Sequence, residues 1–253
     1  MKISLVLPTY KKEREVIEQL DRLYSYLTRK NSNFELIFVV DGYIDNTKDI
    51  LEKYIRENKL RKAKVVGYQE NRGKGYAIRY GIQMATGNVI GFIDADTDIY
   101  LRTLGYAINS IKKDSVLAVI PSKLHKNSNI ELSLKRKFLS TLLIDLNKLF
   151  LRLPKDINDV GCGLKLFKKE LMDRVLPVLT VDGFAIDSDI LNEVGKLNAR
   201  VEVIPFFLSK NRSDSTSTNI SAELGMVKDI LRLSFRDNYF LTKQFFKFLS
   251  IKN

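Results

Sequence analysis

The chain has 253 residues, 45% of them hydrophobic, and 42 lysines and arginines against 30 aspartates and glutamates, for a formal net charge of +12. That length and apolar content are enough for one large core, so one α/β domain with a C-terminal appendage is expected rather than two full domains, and the excess positive charge implies anionic company: nucleic acid, phosphorylated small molecules or an acidic lipid surface. A single cysteine, Cys162, excludes an internal disulfide and reads as a small buried residue of a reducing compartment, while one histidine, His125, leaves no zinc-ligand spacing.

In chain order, the first half repeats one unit. Strands are expected at Ile3 to Pro8, Phe34 to Val40, Lys64 to Tyr68 and Val89 to Ile93, and helices at Glu13 to Arg29, Thr47 to Asn58 and Gly75 to Ala85. The strand segments are short continuous apolar runs, as in strands covered on both faces, and the helical ones carry apolar residues at steps of three and four. Alternation of this kind predicts a mostly parallel sheet with right-handed crossovers, in which ligands bind beyond the carboxyl ends of the strands. Four loops are thereby gathered: Thr9 to Arg14, Asp41 to Thr47, Gln69 to Gly75 and Asp94 to Tyr100. After Pro121 the pattern changes to a long basic apolar helix at Leu132 to Leu153, a loop at Pro154 to Gly163, helices at Lys168 to Val175 and Ile186 to Leu197, and a strand at Arg200 to Ile204. A polar loop, KNRSDSTSTN at 210 to 219, and a helical region from Ser221 to Ser250 complete the chain. No apolar stretch approaches the ~20 residues that span a bilayer, and MKISLVLPTY turns to charge too soon for a signal peptide, so a soluble or peripheral protein is expected.

The segment GFIDADTDIY ends an apolar run in Asp94, Asp96 and Asp98, each two residues from the next. Such carboxylates repel one another unless a positive group lies between them, and all-oxygen ligands favour Mg²⁺ or Mn²⁺. An acidic turn capping the next helix is the other use of such a segment. In NRGKGYAIRYG, Arg72 and Lys74 suit phosphate oxygens, and the first amides of the following helix are expected to face the same crevice. The spacing is not that of a P-loop, and the glycines serve equally to let the backbone turn. Neither does GxGxxG follow the first strand. An acidic metal site beside a basic loop suggests a nucleoside diphosphate bridged by a metal.

LVLPTY at 5 to 10, VVDGYIDNT at 39 to 47, NRGKGYAIRYG at 71 to 81, ATGNVIGFIDAD at 85 to 96 and DVGCGLKLFKKE at 159 to 170 resemble, in order and spacing, family 2 glycosyltransferases of the GT-A fold. Within that family the chain looks most like the dolichyl-phosphate or polyprenyl-phosphate glucosyl- and mannosyltransferases, with NRGKG and CGLKLF leaning toward the glucosyl branch. The resemblance implies a catalytic domain over residues 1–220 and an amphipathic basic tail over 221–253. It implies that Pro8, Tyr10, Asp41 and Asp45 hold the nucleoside, with Glu13 matching once one residue is inserted, and that Asp94, Ala95 and Asp96 form the DxD segment around metal and diphosphate, with Asp98 as a third ligand. Lys123 and Arg136 match basic positions near a lipid phosphate, Asp187 and Asp189 an acidic pair after GFA, and Arg212 with Ser215 a loop meeting the phosphates. Val40 and Asp41 stand where paired aspartates are usual, Lys11 and Lys12 where Asn-Glu is usual, and Tyr43 where serine is usual. These departures bear on base selectivity, between UDP-glucose and, next, GDP-mannose.

A lipid-phosphate acceptor demands positive residues rather than a base, because a phosphate monoester is already largely dianionic at neutral pH; a hydroxyl acceptor would instead need Asp187 or Asp189 as base. Inverting transfer of a hexose to a polyprenyl or dolichyl phosphate is expected. The alternatives are a sugar-hydroxyl acceptor in polysaccharide or glycolipid synthesis, and a non-catalytic protein that binds nucleic acid. Phe138, Leu139, Leu142, Leu143, Leu146, Leu149 and Phe150 form an apolar stripe, and Phe235, Phe240, Phe245, Phe246 and Phe248 lie among Arg232, Arg236, Lys243 and Lys247. Both segments suit an anionic membrane surface, and both also suit a core helix or a homodimer contact. The expected location is cytoplasmic, at the inner face of a membrane, with no nucleic acid as partner.

Overall fold

The structure, a computed structural model, describes residues 1–94, 101–128, 134–207 and 220–238, with the side chains of 134–139 and 220–222 excepted. Its centre is a seven-stranded sheet. The strands are β1 (Lys2–Thr9), β2 (Asn33–Asp41), β3 (Ala63–Tyr68), β4 (Val89–Ile93), β5 (Ala118–Ser122), β6 (Leu164–Lys168) and β7 (Val201–Pro205), in the order β3-β2-β1-β4-β6-β5-β7. The pairs β1–β2, β2–β3, β1–β4 and β5–β7 are parallel; β6 alone runs against its neighbours β4 and β5. The helices are α1 (Val16–Arg29), α2 (Thr47–Glu57), α3 (Lys74–Gln83), α4 (Leu101–Ile111), α5 (Leu134–Phe150), α6 (Lys169–Val175), α7 (Ile186–Lys196) and α8 (Ile220–Arg236).

Alternation along the strands sends the apolar side chains into two cores, one on each face of the sheet. Leu5 and Leu7 of β1 join Leu36 and Phe38 of β2 under α1 and α4, while Val6, Ile37 and Val39 point the other way, toward Ala77, Ile78 and Ile82 of α3. On α1, Val16, Leu20, Leu23 and Leu27 are buried at steps of three and four. The expected α/β architecture is thus present, and the four expected strands of the first half fall within a residue or so of their observed limits. The sequence reading left α4, β5 and β6 unassigned. Segment β6, LKLFK, carries two lysines in five residues, so its apolar pattern is broken although four of its five positions are buried.

The parallel strands deliver their carboxyl ends to one edge, with the reversal of strand order beside β1 and β4 marking the crevice. Because β6 is antiparallel, it contributes its start there instead: Leu164 pairs with Ile93. The helix expected at Leu132 to Leu153 is α5, but it is not one apolar stripe toward a single environment. Ile144 and Leu151 beyond its end enter the core, Leu143 and Phe150 pack partly against it, and Leu142 and Leu149 are exposed. Leu224, Leu231 and Phe235 of α8, which packs on α5, are exposed as well. Phe138 and Leu139, and Phe240 to Phe248, lie outside the described side chains. Among the described residues, no helix is long and apolar enough to cross a membrane.

Candidate active site

Of the four loops expected to converge, those after β1, β2 and β3 are joined by hydrogen bonds, and of the fourth only Asp94 is described. The Lys12 amide donates to Thr47 Oγ1 at 3.0 Å and the Asn46 amide to Glu13 Oε2 at 3.4 Å, joining the loop after β1 to the loop after β2. Asp45 accepts the Thr47 amide at 3.1 Å, opening α2. Pro8 is partly buried within β1 and Tyr10 stands exposed just beyond it. Asp41, only 3% exposed, accepts the Arg72 amide at 2.7 Å, the Gly73 amide at 3.0 Å and Asn71 Nδ2 at 3.1 Å. It shapes the loop after β3 from within.

That loop corrects one expectation. The amides of Gly75 and Tyr76, at the start of α3, do not offer themselves to a ligand: both donate to the Asp182 carbonyl, at 2.7 and 3.2 Å. Gly73 has φ +97°, and a Cβ there would approach the Asp182 carbonyl to 2.5 Å, so this glycine answers a left-handed turn packed against its neighbour. The side chains of Arg72 and Lys74 are the positively charged groups this segment presents. Arg72 lies over the Tyr76 ring at 3.7 Å and donates to Tyr76 Oη at 2.6 Å. Lys74 turns inward, 18% exposed, with its Nζ 2.8 Å from Asp94 Oδ1 and 3.6 Å from Asp187 Oδ2.

Asp94 is fixed from three sides. Its amide donates to the Gly163 carbonyl at 2.8 Å, its own carbonyl accepts Gln19 Nε2 at 3.2 Å, and a Cβ at position 163 would overlap its carboxylate. Asp187, in turn, is shared between Lys74 and Lys165. Lys165 is fully buried; besides Asp187 Oδ1 it donates to the carbonyls of Cys162 at 2.7 Å and Val160 at 3.0 Å. Two carboxylates and two ammonium groups thus alternate across the floor of the crevice. Burial works against the charge of Lys74, but the carboxylates of Asp94 and Asp187 outweigh it and hold the ammonium above its ordinary pKa. At Asp187 burial is likewise overcome, by Lys165 and Lys74, and the carboxyl is held below its ordinary pKa.

On the far side of Asp94, the Lys123 amide donates to Asp159 Oδ2 at 2.8 Å and its Nζ to the Gly161 carbonyl at 3.2 Å. Burial first, and Asp159 next, push the Cys162 thiol up to about 12, in keeping with an inert buried residue. Asp189 does not join the site. It is fully buried, its Oδ2 accepts the amides of Thr180 at 2.8 Å and Val181 at 3.1 Å, and its Oδ1 faces Arg236 at 3.3 Å. Residues two apart on a helix point to different sides, so the expected acidic pair is split. Arg136 lies on α5 with its side chain outside the description, and Ala95, Asp96, Asp98, Arg212 and Ser215 fall outside the described residues altogether.

Among the described residues no three His, Cys, Asp or Glu side chains gather around a metal position. Asp94 fits one in kind: it is a hard oxygen ligand at a strand end, with 31% of its side chain open. Sequence reasoning missed Lys165, Asp159, Gly163 and Gln19. The signal in the first case is a lysine between leucines in a strand with no room for it, and in the last a buried glutamine on the apolar face of α1.

A sheet of this topology with flanking helices has the GT-A fold, and the solved structures it is similar to share it. One is mannosyl-3-phosphoglycerate synthase from Rubrobacter xylanophilus, with TM-score 0.72 and 16% identity, covering 94% of this chain and 74% of that one. Another is a mannosyltransferase from Pyrobaculum calidifontis solved with GDP-Man and Mn²⁺, with TM-score 0.56 and 20% identity, covering 81% of this chain and 55%, just over half, of that one. Residues 4–176 match the sequence model of Glycosyl transferase family 2, and the chain belongs to that family. It is a glycosyltransferase. The dolichyl-phosphate beta-glucosyltransferase of Dictyostelium discoideum is 29% identical over 247 residues, covering 92% of this chain and 74% of the relative.

Proposed function

We propose that the chain transfers a hexose with inversion from a nucleotide sugar, UDP-glucose ahead of GDP-mannose, to the phosphate of a dolichyl or other polyprenyl lipid. The observation that carries this reading is the condition of the two aspartates on α7. Both oxygens of Asp187 face ammonium groups and its basicity is depressed, while Asp189 is buried against two amides and an arginine. Neither is suited to take a proton from a hydroxyl. A phosphate monoester needs no such help, since its second pKa lies near ~6. The similarity to a dolichyl-phosphate beta-glucosyltransferase supports the same acceptor.

In this scheme an acceptor phosphate oxygen forms the new bond to the anomeric carbon, while the bond from that carbon to the nucleoside diphosphate breaks and its electron pair leaves with the diphosphate. A Mg²⁺ or Mn²⁺ held by Asp94 with Asp96 and Asp98 would supply positive charge to that leaving group. Lys74 and Arg72, with Arg212 and Ser215, are assigned to the diphosphate; Lys123 and Arg136 are assigned to the acceptor phosphate. Pro8, Tyr10, Glu13 and Asp45 are assigned to the nucleoside, and Asp41 to the same place through the loop after β3 that it holds. The exposed Leu142, Leu149, Leu224, Leu231 and Phe235 support peripheral attachment to an anionic membrane, which would bring the lipid acceptor to the crevice.

The test is incubation of the purified chain and Mn²⁺ with radiolabelled UDP-glucose or GDP-mannose and dolichyl phosphate in detergent. Label passing into an alkali-stable, acid-labile lipid fraction, with UDP-glucose the better donor, is the expected result. Transfer to a free sugar hydroxyl with dolichyl phosphate inert would overturn it.

A further inference from the structure

The four charges are not equally held. Lys165 has two carbonyl acceptors besides Asp187 and no exposed surface, so it belongs to the fold. Asp94 is pinned through its amide, its carbonyl and the glycine beneath its carboxylate. Among the described residues Lys74 has the two carboxylates as its ionic partners, and it extends from the first position of α3 on a flexible stem. Among the described residues the two positive groups of this set balance its two negative ones. A divalent cation approaching Asp94 alone meets an ammonium already 2.8 Å from Oδ1, whereas a diphosphate arriving with that cation gives the ammonium another anion to pair with.

We infer that Lys74 is a placeholder cation: it neutralises Asp94 in the donor-free protein and yields that carboxylate to a divalent metal only as it turns onto the diphosphate of the incoming nucleotide. Metal and nucleotide are then taken up as a unit, and neither the metal nor the nucleotide alone finds a matched site. This inference rests on the reading of Asp94 as a metal ligand, and goes beyond it by giving one side chain two successive partners and by predicting the energetic coupling between two ligands.

The experiment measures Mn²⁺ binding by the electron paramagnetic resonance of the free ion, with no sugar or acceptor present, in the absence and presence of UDP. Wild-type protein is expected to bind Mn²⁺ weakly alone and about tenfold more tightly with UDP. Lys74→Met is expected to bind Mn²⁺ alone about tenfold more tightly than wild type, since a like charge has left a partly buried site, and to lose most of the gain from UDP. Lys74→Arg keeps the charge and is expected to bind Mn²⁺ alone as weakly as wild type does. Unchanged or weaker Mn²⁺ binding by a folded Lys74→Met overturns the inference. If that variant has no cooperative melt, the wild-type measurement decides, because Mn²⁺ affinity indifferent to UDP overturns it equally. Glucosyl transfer to dolichyl phosphate with independent Mn²⁺ and UDP binding would leave the proposed function standing and remove this inference; coupled binding with no lipid product would do the reverse.

Discussion

Two ionic networks share α7 and serve opposite ends. Asp187 looks toward the crevice and joins Lys74, Lys165 and Asp94; Asp189, two residues on, looks toward α8, where Arg236 also meets Glu193 and Asp237, and Lys196 meets Asp237 at 2.5 Å. The first network is assembled from four separate parts of the chain around a place where a ligand would enter. The second ties neighbouring helices and the 180–181 turn into one body. Chemically similar residues in the string IDSDI thus acquire different surroundings from the rotation of a helix, and a motif that reads as a pair is a residue facing the crevice followed by one sealed in the fold.

The largest effect that would sharpen this contrast is expected from Lys165→Met. It leaves a buried carboxylate short of its closest partner, and a loss of about 3–5 kcal/mol in urea denaturation is expected, together with loss of sugar transfer. Gly163→Ala pushes on the Asp94 carboxylate instead; turnover is expected to fall by about a hundredfold while the fold survives, as steady-state kinetics and a thermal melt would report. Asp189→Asn should do the opposite. It costs about 2 kcal/mol through the charged acceptor of two amides, with turnover retained in the protein that remains folded; loss of turnover without loss of stability would break the division between the two networks.

The pH dependence offers a subtler measure. Burial would raise Asp187 and Asp237, but Lys165 and Lys74 in one case, and Arg236, Lys196 and Asn192 in the other, hold both carboxyls below their ordinary pKa. A depressed folded-state pKa stabilises above the unfolded value, near ~4, and that stability is lost as the pH falls through the folded-state value. Stability is therefore expected to fall on acidification below about pH 4, and Asp187→Asn or Asp237→Asn should each flatten that limb in chemical denaturation series. The smallest effect is that of salt. Arg236 and Lys196 are about a quarter exposed, at 27% and 23%, whereas Lys165 is sealed, so added NaCl should erode the contribution of the α8 network and leave that of Lys165 with Asp187 nearly untouched.

How far these arrangements were legible depends on the range of the interaction. Strand β4 was read at Val89 to Ile93 because a fully buried parallel strand is a continuous apolar run, and the convergence of the loops followed from topology alone. Asp94 and Lys74 could be named from their loops. Their contact could not, because it depends on the turn that lets Lys74 bend inward rather than out to solvent. Lys165 was invisible for a related reason: a lysine in a strand argues for an exposed position until its partner is known, and Asp187 lies 22 residues away. The amides of α3 were misassigned because nothing local indicates that the Asp182 carbonyl, on a loop over 100 residues later, would claim them.

The reversed strand β6 separates the two walls of the crevice in their construction. One wall consists of segments that leave the sheet after β1, β2 and β3, with Asp94 at the end of β4; the wall with Asp159, Gly161 and Gly163 consists of a segment about to enter it. Changes of length between α5 and β6 can therefore remodel that second wall while the anchor points of the first stay in place, so that a chain of this build has a separate handle for each side of its crevice.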